Sequence, residues 1–206
     1  NEPPLPSRVL VRPVLTHVSA PGSDGKVLEQ FDADKLTVEI VHDALNQLFG
    51  ENPDPAAADV FVVNVSLGDR NRPAGAGPVS GWARLLDWWA THAGVLFIVS
   101  TGNDSSELLL QDFADYNAAD DAGSEAMNSA AMRALIASRA TRPVLSPAEG
   151  INVFTIGAAH GEVGSAPSLP NTLKDPITLT GAPSLITRGG PGIANAMRSE
   201  EHTSEL

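Results

Sequence analysis

Four short runs of nearly unbroken apolar residues divide this chain, and they leave few folds open. They are Arg8 to Leu15 (RVLVRPVL), Asp59 to Ser66 (DVFVVNVS), Val95 to Ser100 (VLFIVS) and Ile151 to Ala158 (INVFTIGA). Each is rich in Val, Ile, Leu or Phe and too short for a helix, as expected of strands covered on both faces. Between them lie segments with helical period. Asp34 can cap a helix whose apolar positions Leu36, Ile40, Val41, Leu45 and Leu48 share one stripe, with Gly50 ending it in a left-handed turn. Ser80 can cap a second, carrying Ala83, Leu86, Trp89 and Ala90 and closed by Gly94; Ser124 can open a third through Met127, Ala131 and Leu135. Strands joined by crossover helices imply an α/β fold, a doubly wound parallel sheet with helices on both faces. Ligands of such sheets bind outside the carboxyl ends of the strands, which directs attention to Ser66–Asp69 and Ser100–Asp104.

Composition narrows the partners. With 206 residues, 42% hydrophobic and 18% charged, the chain can bury a core and is too apolar to be disordered. A formal net charge of -12 argues against nucleic acid, whose affinity comes mainly from clustered Lys and Arg. No apolar run has the length of a membrane span, so no membrane partner is expected. The absence of cysteine excludes thiolate metal sites and a cysteine nucleophile. Neither compartment nor oligomeric state follows. Residues 2–6 and the stretch Gly161 to Asp175 are rich in Pro, Gly or Ser and read as irregular loops.

The chemistry centres on Ser100-Thr101-Gly102-Asn103-Asp104. A strand followed by Gly-Asn sets a side-chain amide, a neutral two-hydrogen donor, over the mouth of the sheet. Such a donor suits an oxyanion, because it stabilises the charge that a carbonyl oxygen gains in a tetrahedral intermediate more than it stabilises the ground state. A lone Gly-Asn also reads as a turn. One helix upstream, however, Asn64-Val65-Ser66-Leu67-Gly68 ends the preceding strand, and downstream Ser146-Pro147-Ala148 leads through a short spacer into a strand ending Ile156-Gly157-Ala158. This series resembles the subtilisin-like serine peptidases, with their N-x-S-L-G strand, A-G-N strand end and Pro-Ala block before a V-G-A strand.

The resemblance implies a serine endopeptidase acting on polypeptide substrates without a cofactor. Asn103 would hold the oxyanion. Ser66, Leu67 and Gly68 would pair with an extended peptide by strand addition. Ser100, Thr101 and Gly102 would line the primary specificity pocket, Gly102 leaving room for a side chain; Thr101 stands where the family usually has Ala. The family's triad motifs, D-[ST]-G, H-G-T and G-T-S-x-A-x-P, do not occur here. The Asp and His are therefore expected upstream of Asn1 and the Ser downstream, which makes residues 1–197 an incomplete domain, inactive alone. In the family fold the Asp-bearing strand lies between the strands matching Arg8–Leu15 and Asp59–Ser66, so an empty lane and poor solubility are expected.

The tail Arg198 to Leu206 (RSEEHTSEL) is the codon-for-codon translation of the start of a widely used sequencing-library adapter. Residues 198–206 are thus expected to be artefactual, and Ser199, His202 and Ser204 to carry no function. His17, His42, His92 and His160 lack a serine in a nucleophile turn, and His42 and His92 fall on helices. The run Gly75 to Gly81 misses dinucleotide-fingerprint spacing. The acidic residues Asp112, Asp115, Asp120, Asp121 and Glu125 fit no EF-hand loop, so no metal site is assigned. Trp82, Trp88 and Trp89 read as packing. The competing class is a noncatalytic α/β module, either a pseudopeptidase that binds peptide or a flavodoxin-like ligand domain.

Overall fold

The computed structural model describes residues 9–19, 27–75, 77–161, 175–190 and 192. Three of the four apolar runs become a parallel sheet. Its strands are β3 (Val62–Val65), β5 (Leu96–Ser100) and β7 (Val153–Ile156), in the order β3-β5-β7. The register sets Val65 beside Val99 and Val99 beside Thr155, so all three carboxyl ends open on one edge. The fold is α/β, as the alternation implies. Residues 9–15 of the first run do not form a strand. Their side chains alternate between exposed and half-buried, and Leu10 packs on the core, so the run is extended without a partner. Pro13 removes one ladder donor. The chain then forms an antiparallel hairpin, β1 (Thr16–Ser19) with β2 (Val27–Gln30).

Helices α1 (Thr37–Phe49) and α2 (Gly81–Ala93) pack against each other and against one face of the sheet. Val41, Leu45 and Leu48 of α1 meet Trp82, Leu86 and Trp89 of α2 over Phe97 and Val99, the latter two fully buried. Helix α2 follows its sequence signals. Ser80 Oγ accepts the Ala83 N–H at 3.0 Å, and Gly94, at φ +66°, ends the helix in the left-handed turn that costs glycine nothing. Helix α1 does not. Its N-cap is Leu36, since residues 32–35 form their own turn, with Asp32 accepting the Asp34 N–H; Gly50 leaves in an extended conformation, at φ -74°. Helix α3 (Tyr116–Asp121) is capped by Asp115, and α4 (Gly123–Ser138) begins at an uncapped Ala122, with Ser124 already inside the helix.

The opposite sheet face is apolar and uncovered among the described residues. Val62, Leu96, Phe154 and Ile156 are each between 38% and 46% exposed, and all point to that side by strand alternation. Beyond β3 the chain folds into a short ribbon, β4 (Asp69–Pro73) against β6 (Leu145–Ser146). No helix among the described residues is long and apolar enough to cross a membrane. Most of both proline- and glycine-rich loops, and the tail 198–206, lie outside the described residues.

Candidate active site

The carboxyl ends of β3 and β5 deliver the two motifs side by side. Ser66 directly follows Val65, and Ser100 follows Val99, its lateral neighbour. Ser66 and Gly68 are exposed, whereas Leu67 is half-buried and packs on the core. Ser66 Oγ accepts the Asn64 side-chain N–H at 3.1 Å. Ser100 Oγ accepts the Gly102 N–H at 3.2 Å, which bends the chain out of β5; Gly102 completes the turn at φ +90°.

Asn103 then enters an isolated antiparallel bridge with Thr187. The Asp104 N–H donates to the Ile186 carbonyl at 2.8 Å, and the Arg188 N–H to the Gly102 carbonyl at 3.2 Å. The backbone is thus pinned on both sides of Asn103. The Asn103 side chain is exposed, and its amide has no hydrogen-bond partner among the described residues, leaving both N–H donors available.

Two features differ from simple expectation. The room beside Gly102 is filled. A methyl group on Gly102 would lie 2.6 Å from Leu145 Cδ1, and one on Gly68 would lie 3.2 Å from Leu145 Cβ. Leu145, 2% exposed, therefore stands between the two glycine segments and fills the space beside Gly102 that the sequence led one to expect open. The Leu145 N–H donates to the Thr101 carbonyl at 3.0 Å, which holds it there. Thr101 itself is turned away. It is 1% exposed, and its hydroxyl lies 3.4 Å from that of Thr187, which in turn accepts the Ala158 N–H at 2.9 Å. The Thr101 hydroxyl thus ties β5 to the 185–188 segment.

Behind Asn103 lies a charged cluster that sequence reasoning left without a role. Asp104 is 8% exposed and sits between Arg188, at 2.8 Å, and Arg142, at 3.9 Å. Hydrogen bonds from the Ser106 hydroxyl and N–H, with the two guanidinium charges, hold its carboxyl below the usual carboxylate range despite burial. Arg142 donates to the Leu185 carbonyl at 2.6 Å and to the Ser106 carbonyl at 2.8 Å; Arg188 donates to the carbonyls of Asn103 and Pro143, each at 3.1 Å. These residues are dispersed across 85 positions with no motif of their own.

The rejected histidines have other work. His42 Nδ1 accepts the Trp89 indole N–H at 3.3 Å, His92 stacks on Trp88, His17 pairs with Glu29, and His160 lies 3.3 Å from Asp175. Trp82 and Trp89 are buried in the core, and Trp88 is half exposed. Asp112 pairs with Arg133. No group of three or more His, Asp or Glu side chains is placed to hold a metal among the described residues. Cavities of about 220 Å³, between Arg72, Ser80 and Glu149, and about 300 Å³, between Leu110 and Met127, lie away from Asn103.

A comparison with protein families supplies the deciding observation: the subtilase family profile matches residues 14–201. The chain belongs to the subtilase family. Membership is therefore of a serine peptidase family, and this subtilase presents the family's parallel sheet. It is also 30% identical over 157 residues to an uncharacterized protein of Sinorhizobium fredii, y4bN. That match covers 76% of the subtilase chain and 31% of the relative, so the chain spans about a third of the curated relative's length. No solved structure matches it.

Proposed function

We propose that this subtilase chain is the substrate-binding and oxyanion-holding part of a serine endopeptidase whose Asp, His and Ser are supplied by sequence outside it. The observation that carries this reading is the carboxamide of Asn103, without a partner among the described residues and exposed at the carboxyl edge of a parallel sheet, on a backbone held by hydrogen bonds on both sides. A donor that needs no reorganisation as charge develops is what acyl transfer requires. In this reading a peptide lies extended along Ser66–Gly68, its main chain adding to that edge, and its scissile carbonyl oxygen points at Asn103. The Ser100–Gly102 backbone forms the wall of the side-chain pocket, with the Thr101 side chain turned away from it, and Leu145 forms its floor. Because Leu145 fills the space at Gly102, the pocket takes a small side chain. The nucleophile attacks the carbonyl carbon, and the amide of Asn103 stabilises the resulting oxyanion while the imidazole outside this chain moves the proton.

The test is Asn103→Ala in the full-length protein carrying this domain, with a peptide substrate. Turnover should fall roughly a hundred- to a thousandfold with KM little changed, the range known for such a donor in subtilisin itself. Unchanged turnover, or peptide binding with no hydrolysis in the parent protein, would favour a noncatalytic peptide-binding module.

A further inference from the structure

The structure assigns a positioning role to Arg188, resting on the reading of Asn103 as the oxyanion donor. Arg188 uses all three guanidinium nitrogens on three separate acceptors. Nε donates to the Asn103 carbonyl at 3.1 Å, Nη1 to the Pro143 carbonyl at 3.1 Å, and Nη2 pairs with the Asp104 carboxylate at 2.8 Å. The fork thus grips the peptide unit between Asn103 and Asp104 from one side, while the Arg188 N–H holds the Gly102 carbonyl on the other side of the same residue. With Arg188 16% exposed and Asp104 8%, their ion pair forms largely out of water, while the bond to the Asn103 carbonyl lies at the surface; the planar guanidinium sets the directions of all three contacts together.

The consequence is directional. A backbone held at the Gly102 and Asn103 carbonyls fixes the direction in which the Asn103 side chain leaves the chain, and its amide is the group of that residue without a partner among the described residues. Arg142 supports the clamp from behind. It holds the Leu185 and Ser106 carbonyls and lies 3.9 Å from the second Asp104 oxygen, which accepts the Ser106 N–H and hydroxyl and is held by them beside Arg188. Arg188 itself touches no reacting atom. It acts through Asn103, by keeping a donor at the position where an oxyanion forms.

The experiment is a mutant cycle in the full-length protein. Arg188→Ala should lower turnover by about ten- to a hundredfold with little change in KM, because a donor displaced by an ångström loses most of its effect. Arg188→Lys, which keeps the charge but has one nitrogen for three acceptors, should recover only part of it. In an Asn103→Ala background, Arg188→Ala should lower turnover by less than about twofold, since a clamp has nothing left to aim. Amide exchange in the full-length protein gives a reading independent of catalysis: the Asp104 N–H should exchange faster in Arg188→Lys than in the parent. An equal loss with and without Asn103 would show a merely structural effect and overturn the proposal. A loss in Asn103→Ala with none in Arg188→Ala would overturn this proposal alone, whereas unchanged turnover in Asn103→Ala would overturn the oxyanion reading and this clamp together.

Discussion

At the residue scale, the site is defined by contrasts between neighbours. Thr101 is buried and tied to Thr187, Asn103 is exposed with an amide that has no partner among the described residues, and Asp104 is buried again between two arginines. The glycine-asparagine step stood out in the sequence because it follows an apolar run and lies one helix after Asn64–Gly68 and before the Ser146–Ala158 block. Leu145 was not, because its influence comes from a side chain delivered 43 positions away, against a glycine whose missing Cβ suggested open space. That contact makes a prediction about specificity. Leu145→Ala should raise kcat/KM for peptides with a large side chain before the cleaved bond relative to small ones, by about tenfold or more, with some loss of stability from the cavity. A panel of peptides differing only at that position measures the ratio, and an unchanged ratio would place the pocket elsewhere.

At the element scale, the strand-helix alternation gave three parallel strands, and helix α2 obeyed its caps, because those signals are local. The first run failed as a strand because a strand needs a neighbour. Its side chains alternate as in a strand, yet no described strand lies beside it to complete the ladder. The start of α1 shifted because an Asp32 turn took up the donor of Asp34 before that residue could serve as cap. Ser80 joins two elements at once, accepting the Ala83 N–H and lying 2.6 Å from Ser146 Oγ next to the pocket floor. Ser80→Ala should therefore cost about 1–2 kcal/mol and lower Tm by a few degrees, measured by thermal denaturation. A variant as stable as the parent would mean that the cap is satisfied by other donors and acceptors.

At the scale of the whole molecule, the two sheet faces differ. One is closed by α1 and α2, and among the described residues the other exposes Val62, Leu96, Phe154 and Ile156. Exposed apolar residues gathered on one sheet face favour association. The sequence pattern alone could not tell which sheet face would be bare among the described residues. The isolated chain should bind a hydrophobic reporter dye and sediment faster with increasing concentration. Leu96→Lys, at a position 46% exposed, should reduce both with little change in Tm. Dye binding unaffected by that substitution would put the sticky surface somewhere other than this face.

The central claim concerns one carboxamide and the oxygen it would hold. In the full-length protein, labelled with nitrogen-15 at asparagine and inhibited with a peptide aldehyde, the serine adduct carries an oxyanion at the position assigned to the substrate carbonyl. The account predicts that one Asn103 side-chain amide proton moves downfield and becomes protected from exchange, while the Asn64 amide, already bonded to Ser66, stays where it was. An Asn103 amide unmoved by adduct formation would contradict it.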